Sequence, residues 1–316
     1  MSKTQRALFR GAYRALALIV IFIMCASVIG CSQNGGKGSD QQGGNDSSKD
    51  QNPGKEASGT VYGGYNEHDY ELLAAFLEQT GADGVKNGEK YNKSYSVKDP
   101  ASWQEVEWTD TAEGKRVLRA DLGGMAGELD LSGCTSLTML NCVGELTSLN
   151  ISNCTSLTAV ECSGNRLKSI NLSGCAALTV LRCDHNELEA LDVSVCPSLK
   201  TLRCEYNQLA SLNLAGCGNL ETVNCNKNEL SALDLIGCAA LKSLDCGNTG
   251  LTSLKLDCPA LTELRCHENK LTELDLSTCT ALTVLVCYDN QLTSIDVSKC
   301  DPSIQVDCDD QAEVIR

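Results

Sequence analysis

From Leu129 onward, apolar and polar positions recur with a period of 21 residues that slips to 20 twice. Successive units open at Leu129, Leu149, Ile170, Leu191, Leu212, Leu233, Leu254, Leu274 and Ile295. The stretch 170–190 (INLSGCAALTVLRCDHNELEA) carries the pattern cleanly as Leu178-x-x-Leu181-x-Cys183-x-x-Asn186-x-Leu188. Leu181 and Cys183 alternate with Val180, Arg182 and Asp184, the two-residue period of a strand with one buried face. A single unit cannot cover its own apolar side, so units must stack into a parallel sheet over a shared core. At a strand spacing of about 4.8 Å, nine units predict a coil roughly 45 Å long.

A second recurring position follows each strand: Asn165, Asn186, Asn207, Asn228, Asn269 and Asn290. Flanked by buried Leu, these amides are expected to face inward. Each would donate to one turn's carbonyl and accept from the next turn's amide, satisfying backbone where the strand ends. Two places break the pattern. The first unit reads Cys142-Val143-Gly144-Glu145-Leu146 without the Asn, and the sixth carries Thr249 in its place, with a residue dropped before Cys258. Local bending is expected near 247–258.

Residues 61–128 read as a cap over the open end of the stack. Asn66–Gln79 predicts a helix with Leu72, Leu73, Phe76 and Leu77 on one face, Asn66 as N-cap and Gly81 as stop. Val117–Leu122 predicts a strand leading into the repeats. Trp103 and Trp108 are expected to be packing wedges. At the far end Ser303 and Gln311 replace the usual Leu and Asn, and four aspartates make the last turn polar, which discourages end-to-end association. A monomer is expected.

The N-terminal 60 residues carry no such pattern. Lys3, Arg6, Arg10 and Arg14 precede an apolar stretch, 15–30, that is short for a membrane span and has the layout of a secretory signal. Val28-Ile29-Gly30-Cys31 resembles the lipobox of bacterial lipoproteins, which implies lipidation of Cys31 and removal of 1–30. Residues 32–60 lack Leu, Ile, Val, Phe, Tyr and Trp and predict a flexible tether. The expected organisation is a signal over 1–30, a tether over 31–60, a cap over 61–128 and repeats over 129–316. This places the folded part outside the cytoplasm, held to a membrane by the lipid.

Charge and chemistry narrow the function. The formal net charge is −15, which repels phosphate backbones and disfavours nucleic acid as a partner. Eighteen cysteines fall on the repeat, nine at the strand position and nine at the turn before it. Stacked strands hold neighbouring Cβ atoms about 4.8 Å apart, wider than the ~3.8 Å of a disulfide. Free core thiols are therefore expected, with disulfides the alternative and metal binding disfavoured for want of Cys-x-x-Cys pairs or clustered His. No nucleophile elbow, phosphate loop, zinc-binding helix or dinucleotide fingerprint occurs. Cys183 and His185 read as pointing to opposite faces, and His185 and His267 lie four turns apart. No enzyme, cofactor or resident metal is expected.

The repeated unit matches the leucine-rich-repeat signature with Cys in place of one Leu, and it resembles the repeats of internalin-like bacterial surface proteins. The resemblance covers 129–316, with a weaker likeness of the cap over 61–128. It implies an α/β leucine-rich-repeat solenoid: a right-handed coil with a parallel concave sheet, an irregular convex side and a small N-terminal helical cap. It also implies binding of an extracellular or host protein, or of a glycan, on the concave sheet. A purely structural envelope role is the third reading. The middle outward row runs Asn141, Glu161, Arg182, Arg203, Asn224, Asp245, Arg265, Val286 and Asp307. Candidate contact residues are Arg182, His185, Arg203, Glu205, Tyr206, Arg265, His267 and Tyr288, with a basic and aromatic patch expected at Arg182, His185, Arg203 and Tyr206, since Arg and Tyr are enriched in binding hot spots.

Overall fold

The structure, a computed structural model, describes residues 63–316. The signal, Cys31 and the tether expected over 31–60 lie outside the described residues. Helix α1 (Glu67–Leu77) opens at Asn66, whose side chain accepts the Asp69 N–H at 3.3 Å. It buries Leu73, Phe76 and Leu77, while Leu72 is only half-buried. No helix among the described residues is long and apolar enough to cross a membrane.

Beyond α1 the chain makes an antiparallel hairpin, β1 (Val106–Thr111) and β2 (Gly114–Asp121). Strand β2 then pairs in parallel with Met139–Asn141, the first repeat strand. The capping hairpin and nine repeat strands thus form one 11-stranded sheet. The expected middle row is its register: Asn141 pairs with Glu161, then Arg182, Arg203, Asn224, Asp245, Arg265, Val286 and Asp307. Each strand is three residues long with its central residue turned into the core, as with Leu181, Leu202 and Leu244.

The opposite side is more regular than the irregular surface expected. Short strands such as Ala190–Asp192 and Ser211–Asn213 pair in parallel, giving small sheets of two or three strands. The reason lies in alternation on that side too: Leu191 and Leu212 turn inward between exposed neighbours. Between the two sides runs an uninterrupted apolar interior of Leu, Ile, Val and Cys.

All 18 repeat cysteines are unbridged thiols, buried except for half-buried Cys308. Several donate across turns, Cys154 to the Leu131 carbonyl at 3.0 Å and Cys175 to that of Ile151 at 3.1 Å. Burial pushes these thiols up, Cys154 to about 12 and Cys217 to about 11.

The asparagines do face inward, but both ends of each amide serve the same neighbour. Asn186 donates to the Cys162 carbonyl of the preceding turn (2.9 Å) and accepts that turn's Leu167 N–H (3.0 Å). It also donates to its own Cys183 carbonyl at 3.1 Å. The expected hand-over to the following turn is therefore corrected: the amide leans back, because the two backbone groups it must satisfy bracket one bend. Thr249 is too short to do this and bonds instead to Cys246 and to Asn269 of the turn ahead, both at 2.9 Å. A surface depression of about 410 Å³ opens there, lined by Leu230, Thr249, Gly250 and Lys270 among others. The main-sheet register carries through this place unbroken, from Asp245 to Arg265.

Candidate functional site

Three columns of side chains leave the main face. The first is the middle row itself. The second, two residues on, reads Ser163, Asp184, Glu205, Asn226, Gly247, His267 and Tyr288. The third reads Gly164, His185, Tyr206, Lys227, Asn248, Glu268 and Asp289. Backbone pairing holds the columns in register past the strands: His185 N–H donates to Glu205 at 3.0 Å, and Tyr206 N–H to Asn226 at 3.1 Å.

Every residue of the third column is left-handed, with φ between 52° and 67°. Non-glycine residues enter this region reluctantly, and the conformation tilts the side chain off the sheet normal. This corrects the reading of Cys183 and His185. Two residues apart, a strand would put them on one face. They part because His185 (φ 55°) has left the strand, so Cys183 is buried and the imidazole is exposed.

The sequence-derived candidates divide sharply. His185 and Tyr206 stack at 4.3 Å between ring centroids with 14° between planes, and the Lys227 ammonium lies 4.5 Å over the Tyr206 ring. His267 and Tyr288, in the second column, stack at 5.1 Å, with the imidazole seated directly over Gly247. Tyr288 was expected to be outward and available, but it is buried (8% exposed) because it lies against His267. Glu205 was expected to be a surface contact and is only 3% exposed, since Arg203 lies across it and donates to Oε1 through Nε at 3.0 Å and through Nη2.

The expected basic patch is also corrected. Arg182 pairs with Glu161 (3.4 Å), Arg203 with Glu205, and Arg265 with Glu263 (2.7 Å). Each guanidinium is neutralised by a carboxylate on its own face. Counting Glu161, Asp184, Glu205 and Asp245 against Arg182, Arg203 and Lys227, this part of the face carries one net negative charge. Ser163 bridges Glu161 (2.5 Å) and Asp184 (2.7 Å), and Asp184 holds His185 Nδ1 at 3.0 Å. Burial raises the Glu205 carboxyl above the usual glutamate value against the opposing pull of Arg203.

A cluster that sequence reasoning missed joins the cap to the first turn. Asp69, fully buried, receives Arg116 through Nη2 (2.6 Å) and Nε (3.1 Å) and the Val117 N–H (2.9 Å). His68 and Cys134 lie beside it, close enough for the three to be considered as metal ligands. The donor atoms are already committed: Arg116 occupies the carboxylate and His68 Nε2 is bonded to the Ser132 carbonyl at 2.7 Å. The cluster is a structural junction.

No protein-family model and no curated protein matches the chain. Solved structures do. The functional domain of InlJ from Listeria monocytogenes, described as including a cysteine ladder, is 26% identical over 63% of this chain and 53% of its own, at a TM-score of 0.36. YopM from Yersinia enterocolitica is 25% identical over 62% of this chain and 42% of its own, at a TM-score of 0.52. TLR13, solved in complex with ssRNA13, is 19% identical over 62% of this chain and 33% of its own, at a TM-score of 0.50. The chain thus spans about half the length of the first of these and less of the others. In fold, it is a leucine-rich-repeat solenoid whose parallel sheet of nine repeat strands is extended by a capping hairpin.

Proposed function

We propose that this chain is a lipid-anchored protein of the cell surface, attached through Cys31, whose main sheet face binds a protein partner. The observation that carries the reading is the lane on the third to fifth repeat strands. There the His185–Tyr206–Lys227 stack stands in solvent beside the Arg182–Glu161 and Arg203–Glu205 pairs. Exposed aromatic rings next to arginine are the composition of an interaction hot spot. The TLR13 complex places RNA on a repeat protein of this fold, but a net charge of −15 disfavours a polyanion here. The stacked rings favour a glycan as the second reading.

The test is capture by the full chain and by a His185→Ala/Tyr206→Ala double variant, from surface protein and from glycan preparations. Partner recovery that is lost in the double variant and destroyed by protease supports the proposal. Recovery resistant to protease but sensitive to glycosidase transfers the site to a glycan. Equal recovery by both chains removes the lane from the function.

A further inference from the structure

The third column of the main face carries a side chain on every turn from His185 to Asp289, and at Gly164 it carries none. Backbone pairing keeps Gly164 in register, its N–H donating to Asp184 at 2.9 Å as that of His185 donates to Glu205. The place is open. Gly164 is exposed, and a side chain there would meet only Val143 Cγ1, 3.8 Å from its Cβ. His185 lays one face of its ring on Tyr206 of the following turn, so the other face looks toward Gly164. On the far side stands Val143, 39% exposed. The turns that carry these two walls are two strand spacings apart, about 9.6 Å, which leaves the thickness of one flat ring between them.

The molecule shows elsewhere what fits such a gap. In the second column Gly247 interrupts the side chains in the same way, and there His267 of the next turn lies over the glycine while its ring stacks on Tyr288. Both places read glycine, histidine, tyrosine on three successive turns. The first is closed by its own imidazole. In the second, Asp184 holds His185 Nδ1 at 3.0 Å and the gap stays open. The polar groups beside it are paired to one another, Ser163 Oγ with Glu161 (2.5 Å) and Asp184 (2.7 Å), and Arg182 with Glu161. A sugar ring would bring hydroxyls that find few partners there, and the two carboxylates turn away an anion. A flat aromatic ring needs no hydrogen bond, and its positive edge suits those carboxylates. Residues 32–60 contain no aromatic residue, so that segment cannot supply the ring. We infer that Val143, Gly164 and His185 form a slot for one aromatic side chain of a polypeptide partner, stacked on the open face of the His185 imidazole. This rests on the reading that the main face binds a protein, and adds which side chain it anchors.

The experiment follows the His185 Cε1 proton resonance of the full chain by NMR at fixed pH while N-acetyl-phenylalaninamide is titrated, with N-acetyl-cyclohexylalaninamide and methyl β-glucoside as competitors. A saturable upfield shift is expected, with the cyclohexyl compound displacing the phenyl one about fivefold more weakly. Gly164→Tyr supplies the ring in place and is expected to abolish the titration; Tyr206 already adopts the left-handed conformation of this column. Val143→Ser removes the opposite wall and is expected to weaken binding about threefold. It touches neither the glycine nor the stack, so it keeps the slot testable should Gly164→Tyr fold poorly. No saturable shift, or a shift that both variants leave unchanged, overturns the slot. Displacement by the glucoside as strong as that by the cyclohexyl compound overturns the choice of an aromatic side chain. A His185 resonance that moves upfield as the chain alone is concentrated, and no longer does so in Tyr91→Ala, means that the exposed Tyr91 of a second copy takes the slot, and overturns the separate partner. Partner capture that depends on His185 and Tyr206 but is unchanged by Gly164→Tyr leaves the face in place and removes the slot alone.

Discussion

Asn207 shows how much one side chain supports in this fold. Its amide donates to the carbonyls of Cys183 (3.0 Å) and Cys204 (3.1 Å) and accepts the Leu188 N–H (3.0 Å). Alanine at this position would orphan the Leu188 N–H in a space with little water, while the Cys183 and Cys204 carbonyls keep the amides of Asn186 (3.1 Å) and Asn228 (3.0 Å). Such a group costs about 1–3 kcal/mol, so Asn207→Ala is expected to lose roughly 2 kcal/mol in urea unfolding. Thr249→Asn is the reciprocal change. It would return an amide to the place where Leu230 and Cys225 lack the contact that other turns receive, and should gain about 1 kcal/mol. A loss below a few tenths for Asn207→Ala, or no gain for Thr249→Asn, would show that the amides only fill space. The column was legible in the sequence because it repeats every 21 residues. Its direction was not, since spacing alone does not say which neighbour an amide leans toward. The burial of Glu205 was equally hidden, because it depends on the rotamer by which Arg203 reaches across it.

Helix α1 and hairpin β1–β2 act together through a contact that no local pattern announces. Asp69 and Arg116 are 47 residues apart, and their pairing exists only once the helix has docked on the hairpin. A periodic signal reveals elements that bury a stripe, so the helix, its N-cap and the strand leading into the repeats could all be read. A single acidic residue in a helix's first turn reads as an ordinary dipole partner. Here the carboxylate is fully buried and also accepts the Val117 N–H at 2.9 Å, so it fixes the start of β2. Arg116→Met would leave that charge unpaired inside the cap. Removing one partner of a buried pair costs about 3–5 kcal/mol, and the expected result is early loss of the Trp103 and Trp108 fluorescence signal ahead of the main unfolding transition. Unfolding in one step with unchanged midpoint would show that the pair carries no weight. Asp69→Asn together with Arg116→Met removes both charges and should recover part of the loss.

At the scale of the whole solenoid, the cysteines act as a set. Each is a small apolar group that lets adjacent turns approach, and all but the half-buried Cys308 are buried as thiols. Burial raises the ordinary value near 9 in the buried ones, with Cys217 and Cys258 at about 11 and Cys154 and Cys266 at about 12. The fold holds these protons more tightly than the unfolded chain does, so stability is full below pH 9 and drains away as pH rises toward the folded values. A shift of one unit in a single thiol is worth about 1.4 kcal/mol. A domain's whole stability is only about 5–15 kcal/mol, so a few thiols suffice to exhaust it between pH 9 and 11. Carboxylates held low on the surface, such as Asp192 bonded by Ser194, do not change charge in that range. The expected result is a urea midpoint that is level from pH 7 to 8.5 and collapses by pH 11. Thiol reagents at pH 7.5 should label the 17 buried repeat cysteines slowly in the folded chain, half-buried Cys308 sooner, and all 18 after unfolding. A midpoint indifferent to pH up to 11, or rapid labelling of the buried thiols without unfolding, would mean that the thiol columns do not form the closed interior on which the stacking of turns, and with it the single broad face of the main sheet, depends.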